Sequence, residues 1–272
     1  MIKAMKYCKK CVYPFATVNL HVDDDGICSS CKTFEAFEKI PEEFWNKRRK
    51  RLEDLIEETA DTNNSEYDCL IPVSGGKDSY YQTHIITKEL GLKPLLMTYH
   101  GNNFLPEGDY NRDRMREVFD ADHIVWGPNI EVLKKLNRLG FRKMGDMNWQ
   151  NHCGIMTSPI QIAVKFNIPL MIWGESVSEN DGRSSYSKPT IKFDRDYFTK
   201  VSARLTADEM VDENLSAKDM HPFQLPSYEE IDNTGVFGIH MGDYIFWDDE
   251  KQTEWIRDTY GWAETEIEGT YK

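Results

Sequence analysis

Continuous apolar runs alternate with helically spaced segments through the middle of this chain. Residues 68–73 (DCLIPV), 93–99 (KPLLMTY) and 169–173 (PLMIW) read as strands built on apolar runs, and 123–126 is a shorter extended one. Between and around them, 80–90, 109–119, 130–139 and 158–166 repeat apolar residues at helical spacing. Strands that lack polar alternation are covered on both faces, so this order predicts an α/β fold, a doubly wound parallel sheet with right-handed helical crossovers. Upstream, Trp45, Leu52, Leu55 and Ile56 mark a helix over 41–59, and the polar stretch 61–65 marks a linker. After residue 187 the pattern weakens. No internal repeat or low-complexity tract interrupts the chain.

The first forty residues follow a different logic. Four of the six cysteines form two CxxC pairs, Cys8/Cys11 and Cys28/Cys31, separated by 16 residues. Each pair is suited to supply two thiolates to a tetrahedral zinc, with the turn signal Asp23-Asp24-Asp25-Gly26 folding the intervening hairpin back. Four thiolates leave no open coordination position, so the zinc is expected to be structural. Disulfide pairing and replacement of one thiolate by His21 are the alternatives. The expected organisation is a zinc ribbon over 1–40, a linker helix over 41–65, the parallel-sheet domain over 66–189 and a C-terminal extension over 190–272.

Charge narrows the partners. The 33 Lys and Arg against 46 Asp and Glu give a net charge of −13 over 272 residues, which weighs against nucleic acid and anionic membrane. The basic run 46–51 is the one local exception, expected to be a solvated helix face, with a contact to phosphates or an acidic partner as the alternative. With 40% apolar and 12% aromatic residues the chain is no disordered polymer. No run approaches the roughly 18 apolar residues of a membrane span, and the start MIKAMKYCKKC has no apolar signal segment. A cytoplasmic protein is expected.

Ser74-Gly75-Gly76-Lys77-Asp78-Ser79 lies between the first strand and the first helix of the sheet. Paired glycines let the main chain turn tightly and approach a ligand, while the following helix offers unpaired N–H groups and its positive dipole end, an arrangement that binds phosphate. The Ser74 and Ser79 hydroxyls add donors. The spacing matches neither a Walker A loop nor a dinucleotide fingerprint. Asp78 is expected to cap the helix or to hold magnesium, and Lys77 to neutralise phosphate charge.

The strand followed by SGGKDS resembles the PP-loop ATP pyrophosphatase superfamily, HUP-like enzymes that adenylate a carbonyl-type oxygen. The resemblance implies that Ser74, Gly75, Gly76, Lys77, Asp78 and Ser79 hold the pyrophosphate part of ATP, and that the main chain near Thr98 and Tyr99 receives the nucleobase. With CxxCVYP at the N-terminus, NHCGI, WGE and GDYIFWD, the chain from Cys8 to about residue 255 is similar to the N-acetyl sugar amidotransferases of surface-polysaccharide (lipopolysaccharide, O-antigen, nonulosonic acid) biosynthesis. That implies ATP and Mg2+ as reactants, an acetamido sugar or sugar nucleotide as acceptor, and conversion of its acetamido group to an acetamidino group. Residue 2 is isoleucine instead of an N-terminal cysteine nucleophile and no GxCxG elbow is present, so ammonia is expected from a separate glutaminase subunit. Members of that family continue past the point where this chain stops, which marks it as a short member or as lacking a C-terminal part.

Further candidates are Glu175, after the strand 169–173, as a magnesium or substrate ligand, with Glu179 and Arg183 behind it. Cys153, in Asn151-His152-Cys153-Gly154 ahead of a helix, is a candidate sulfur nucleophile, paired with Cys69 in a tRNA-thiolating reading of the same superfamily, with a buried structural cysteine as the alternative for each. His100 is expected to be a loop residue. Gly242-Asp243-Tyr244 with Trp247-Asp248 is expected either to line a sugar pocket or to pack. A non-catalytic zinc-ribbon scaffold with a relic nucleotide fold is the remaining alternative.

Overall fold

The computed structural model describes residues 5–16, 20–101, 104–174 and 205–265. Five strands, β1 (Cys69–Pro72), β2 (Pro94–Tyr99), β3 (Asp122–Trp126), β4 (Leu170–Trp173) and β5 (Phe237–His240), pair in parallel throughout, in the order β3-β2-β1-β4-β5. Eight described α-helices accompany them: α1 (Ser29–Glu38), α2 (Glu42–Ala60), α3 (Lys77–His84), α4 (Pro106–Phe119), α5 (Ile130–Met144), α6 (Trp149–Lys165), α7 (Tyr228–Thr234) and α8 (Asp249–Tyr260). A π-helical stretch, Ile85–Glu89, continues α3.

Alternation along each strand builds two separate cores, because successive side chains leave a strand on opposite faces. Cys69, Ile71, Leu96 and Ile172 face α2, α3, α4 and α8, where they meet Leu52, Leu55, Tyr80, Ile86, Met115, Phe119 and Ile256. Leu70, Leu95, Met97 and Met171 face the other way, onto Ile160, Ile162 and Ala163 of α6 and Ile231 of α7. A third cluster joins α5 to the start of α6 and to residues 207–223. The doubly wound sheet is therefore as expected, and its order reverses between β1 and β4, which opens the crevice where such folds bind ligands.

The sheet does not end at residue 189. β5 comes from within 190–272 and extends β4 through the register Leu170↔Phe237 to Trp173↔His240. Phe-Gly-Ile-His has only two large apolar side chains and forms no continuous apolar run like those of β1 and β4, yet Gly238 and Ile239 are buried against β4.

α6 begins at Trp149, so the segment Asn151-His152-Cys153-Gly154 lies inside a helix and not ahead of one. The helix expected over 158–166 extends back to Trp149: Pro159 suits a first turn, but eleven buried positions along α6 carry the helix through it and through Gly154. Two hydroxyls re-bond carbonyls near the proline, Ser158 Oγ donating to Gly154 O (2.6 Å) and Thr157 Oγ1 to Cys153 O (2.9 Å). The basic run on α2 is an ion-paired face: Lys47, Lys50 and Arg51 meet Glu43, Asp54 and Glu58 at 2.7–3.0 Å, and Arg49 meets Glu53 and Glu89. Arg48 lies over the Phe44 ring and donates to Asp243 O.

Candidate functional site

At the N-terminus, antiparallel bridges Tyr7↔Pro14 and Val22↔Cys28 bring the two CxxC pairs together, with Gly26 in the left-handed region (φ +80°) closing the turn. The four sulfurs lie within 4.8 Å of one another, Cys8 to Cys31 at 3.9 Å and Cys11 to Cys28 at 3.6 Å. A tetrahedral zinc with Zn–S near 2.3 Å places its sulfurs about 3.8 Å apart, so the quartet fits that ion. Main-chain N–H groups around Cys8, led by that of Cys11 and opposed by burial, hold its thiol down to about 6. Burial raises the thiols of Cys28 and Cys31, so the full set ionises only with a cation among the sulfurs. His21 is not part of the cluster. Cys28 is also the N-cap of α1, so the knuckle and the helix share a residue.

The second site is the loop after β1. Gly75 has φ +83°, and a Cβ there would sit 2.6 Å from the main-chain N of Arg112 on α4. Only glycine fits, both for backbone reasons and because α4 crosses directly behind the turn. Gly76 is the N-cap of α3, so Lys77, Asp78 and Ser79 form its first turn, where the N–H groups have no intrahelical acceptors. The hydroxyls converge inside the turn: Ser74 N donates to Ser79 Oγ at 2.9 Å, Gly76 N to Ser74 Oγ at 3.3 Å, and the two hydroxyls are 3.4 Å apart. This is a compact set of donors at a helix N-terminus, on the edge of the β1/β4 crevice.

The charged residues of the loop are already engaged. Lys77 Nζ binds both oxygens of Asp78 (2.8 and 3.0 Å) and Asp249 Oδ1 of α8 (2.9 Å). Burial works against the ammonium, and the two carboxylates outweigh it and raise its pKa. Asp78 also accepts from the Trp247 indole at 3.3 Å.

The other expected residues fall in different places. Thr98 is buried and its hydroxyl donates to Val73 O (2.6 Å), so it steers the chain into the loop. Tyr99 turns its ring between Gly101 and Gly154 and donates to Gln150 Oε1 (2.6 Å), knitting the end of β2 to α6. Cys153 lies in the cluster of Tyr99, Trp149 and Phe223, 2% exposed, and burial pushes its thiol up to about 12. A neutral packed thiol is the opposite of an activated nucleophile. Cys69 is wholly buried and burial raises its pKa as well. His100 stacks against Phe104. Tyr244 and Trp247 are core residues, and Asp248 caps α8 by accepting from Lys251 N. Glu175, Glu179 and Arg183 lie outside the described residues.

Several residues at the loop carry no local signal in the sequence. Arg112, 7% exposed and ion-paired with Asp109 (2.6 Å) and Asp113 (2.8 Å), packs its backbone against Gly75. Gln82 donates to Pro72 O, while its buried Oε1 faces Gly174 with no partner among the described residues. Trp262 donates its indole N–H to Gly75 O at 2.9 Å.

No family model matches the chain, and no curated protein does. Among solved structures the chain is similar to an NH3-dependent NAD synthetase from Campylobacter jejuni, at 13% identity and a TM-score of 0.37. That match covers 49% of this chain, which spans only 57% of the synthetase's length. Two further matches are a predicted subunit of tRNA methyltransferase from Methanocaldococcus jannaschii (13%, TM-score 0.34, covering 68% and 72% of the two chains) and a U34-tRNA thiolase from Methanococcus maripaludis (17%, TM-score 0.35, 66% and 56%). Likeness at this level bears on neither activity nor substrate.

Proposed function

We propose that this chain is an ATP-dependent, AMP- and pyrophosphate-forming amidotransferase that converts an N-acetyl group on a sugar to an acetamidino group. The observation that supports it most is the loop Ser74–Ser79, a glycine turn whose hydroxyls and helix N-terminus converge at the switch point of a parallel sheet. There the N–H groups of Gly76, Lys77 and Asp78 and the hydroxyls of Ser74 and Ser79 bind the leaving pyrophosphate, and Lys77 offsets its charge. Asp78 is the carboxylate suited to magnesium, which would supply charge neutralisation between the phosphates. The main chain at Thr98 and Tyr99 stands at the carboxyl end of the neighbouring strand, the side on which a nucleobase is received.

The chemistry needs an activated amide, because an acetamido carbonyl is a poor electrophile with a poor leaving group. Its oxygen attacks the α-phosphorus, pyrophosphate departs, and the amide N–H proton is lost to give an O-adenylyl imidate. Ammonia adds to the imidate carbon and AMP leaves, which yields the amidine. The protein's share is positioning and charge stabilisation. Ammonia comes from a separate glutaminase subunit in this reading, and Glu175 is a candidate ligand of magnesium or of the sugar.

A tRNA-thiolating role has less support. It needs an accessible thiolate, and Cys69 and Cys153 are both buried and neutral. The deciding experiment incubates the protein with Mg-ATP and acetamido sugar nucleotides and follows AMP, pyrophosphate and the sugar by mass spectrometry. AMP release with exchange of carbonyl oxygen for NH, driven by ammonium salts and not by glutamine, is expected. Turnover with glutamine alone, or ATP hydrolysis to ADP, would overturn the proposal.

A further inference from the structure

Three contacts join the phosphate loop to a stretch of chain far from it in sequence. Trp262 holds Gly75 O, Trp247 holds the Asp78 carboxylate at the other end of the turn, and Asp249 holds Lys77 between them. The stretch is itself pinned beside the loop. Asn111 of α4 exchanges two hydrogen bonds with Ala263 (2.8 and 2.9 Å), and Arg114 donates to Gly261 O and Tyr260 O. α4 is also the helix whose Arg112 backbone backs Gly75.

The Trp262 contact has a directional effect. In a trans peptide the carbonyl and the next N–H point opposite ways. Anchoring Gly75 O to the indole therefore aims Gly76 N–H into the turn, toward Ser74 Oγ, where a phosphate oxygen would be received. An indole N–H is only a donor, so the carbonyl cannot be exchanged for the N–H at that position. Trp247 does the same for Asp78, orienting one carboxylate oxygen from the first turn of α3.

Lys77 poses the opposite question, because an ammonium shared by two carboxylates has little charge to spare for a phosphate. Its two partners differ. Asp78 is adjacent and largely buried, whereas Asp249 is 68% exposed on the first turn of α8. The exposed partner is the one that is exchanged at least cost.

We propose that Trp247 and Trp262 are positioning residues of the phosphate loop and that Asp249 occupies, on Lys77, the place a phosphate oxygen takes when nucleotide binds. The inference rests on the loop being a polyphosphate site. It makes the C-terminal stretch a part of that site and gives opposite signs to its members: the tryptophans favour nucleotide binding and Asp249 competes with it.

Calorimetric titration of the full chain with Mg-ATP tests this, comparing wild type with Trp262→Phe, Trp247→Phe and Asp249→Asn. Each phenylalanine variant removes a hydrogen bond and keeps a ring, and is expected to weaken binding about tenfold. Asp249→Asn is expected to strengthen it by about threefold to tenfold at low salt, with the gain shrinking as salt screens the site. Indole emission that shifts on adding Mg-ATP in wild type, and no longer shifts in the double tryptophan variant, reports the contacts directly. Wild type that binds no Mg-ATP sinks the polyphosphate reading itself. Wild type that binds, with Asp249→Asn unchanged or weaker, overturns the inference, and this exposed position carries the test even where a tryptophan variant fails to fold.

Discussion

Gly75 shows how much a single position can carry. Its left-handed φ and the 2.6 Å approach of Arg112 N are independent reasons against any side chain. Gly75→Ala therefore costs about 1–2 kcal/mol for the backbone alone, plus whatever α4 loses by moving away. Urea unfolding is expected to show that loss, and calorimetry to show loss of Mg-ATP binding; an alanine variant as stable and as competent as wild type would contradict both. The glycine was legible in the sequence because the turn is local and its spacing carries the chemistry. Arg112 and Trp262 were not, since nothing in NRDRM or GWA distinguishes a residue backing the loop from an ordinary helix or coil position. Cys153 shows the converse: a thiol beside a histidine looks reactive in sequence, and only burial among Tyr99, Trp149 and Phe223 reveals a packed one.

Between elements, three strands share one hydrogen-bond relay into the loop. The Thr98 hydroxyl on β2 donates to Val73 O, so it must accept from His123 of β3, 2.9 Å away, which fixes the Nε2–H tautomer. Burial, then the nearby Arg112 charge, lowers the His123 pKa to about 4. An unfolded chain takes up that proton near pH 6.5 and the folded one only near 4, so stability is lost as pH falls through that window. The slope is at most about 1.4 kcal/mol per pH unit. His123→Gln is expected to flatten the stability curve between pH 6.5 and 4; an unchanged slope would assign the acid sensitivity elsewhere. The strands were legible because both faces are apolar. β5 and the start of α6 were not, the first because Phe-Gly-Ile-His forms no continuous apolar run and the second because Pro159 reads as the first turn of a helix instead of its middle.

Taken whole, the molecule has more than one core. The cysteine quartet carries its own small cluster, Cys8, Cys28 and Cys31 with Phe15, Leu20, Val22 and Ile27. Units of this size rarely fold without metal. Removing the ion with a strong chelator is expected to release one zinc per chain and to expose backbone amides of residues 5–16 and 20–38 to hydrogen exchange, while the strands keep their protection. Collapse of the whole sheet would show that the module and the sheet unfold together. The CxxC spacing made this unit legible, whereas the sheet's fifth strand and the loop's bracing come from a region whose sequence pattern is weak. That arrangement has a consequence for synthesis. The loop at 74–79 leaves the ribosome long before Trp262, its partner 187 positions later. During translation the cysteine module and the first three strands can form in order, but the turn waits unbraced, with β4 as an open edge until β5 arrives. Nascent chains halted before residue 237 are then the species for which a chaperone has the most to cover.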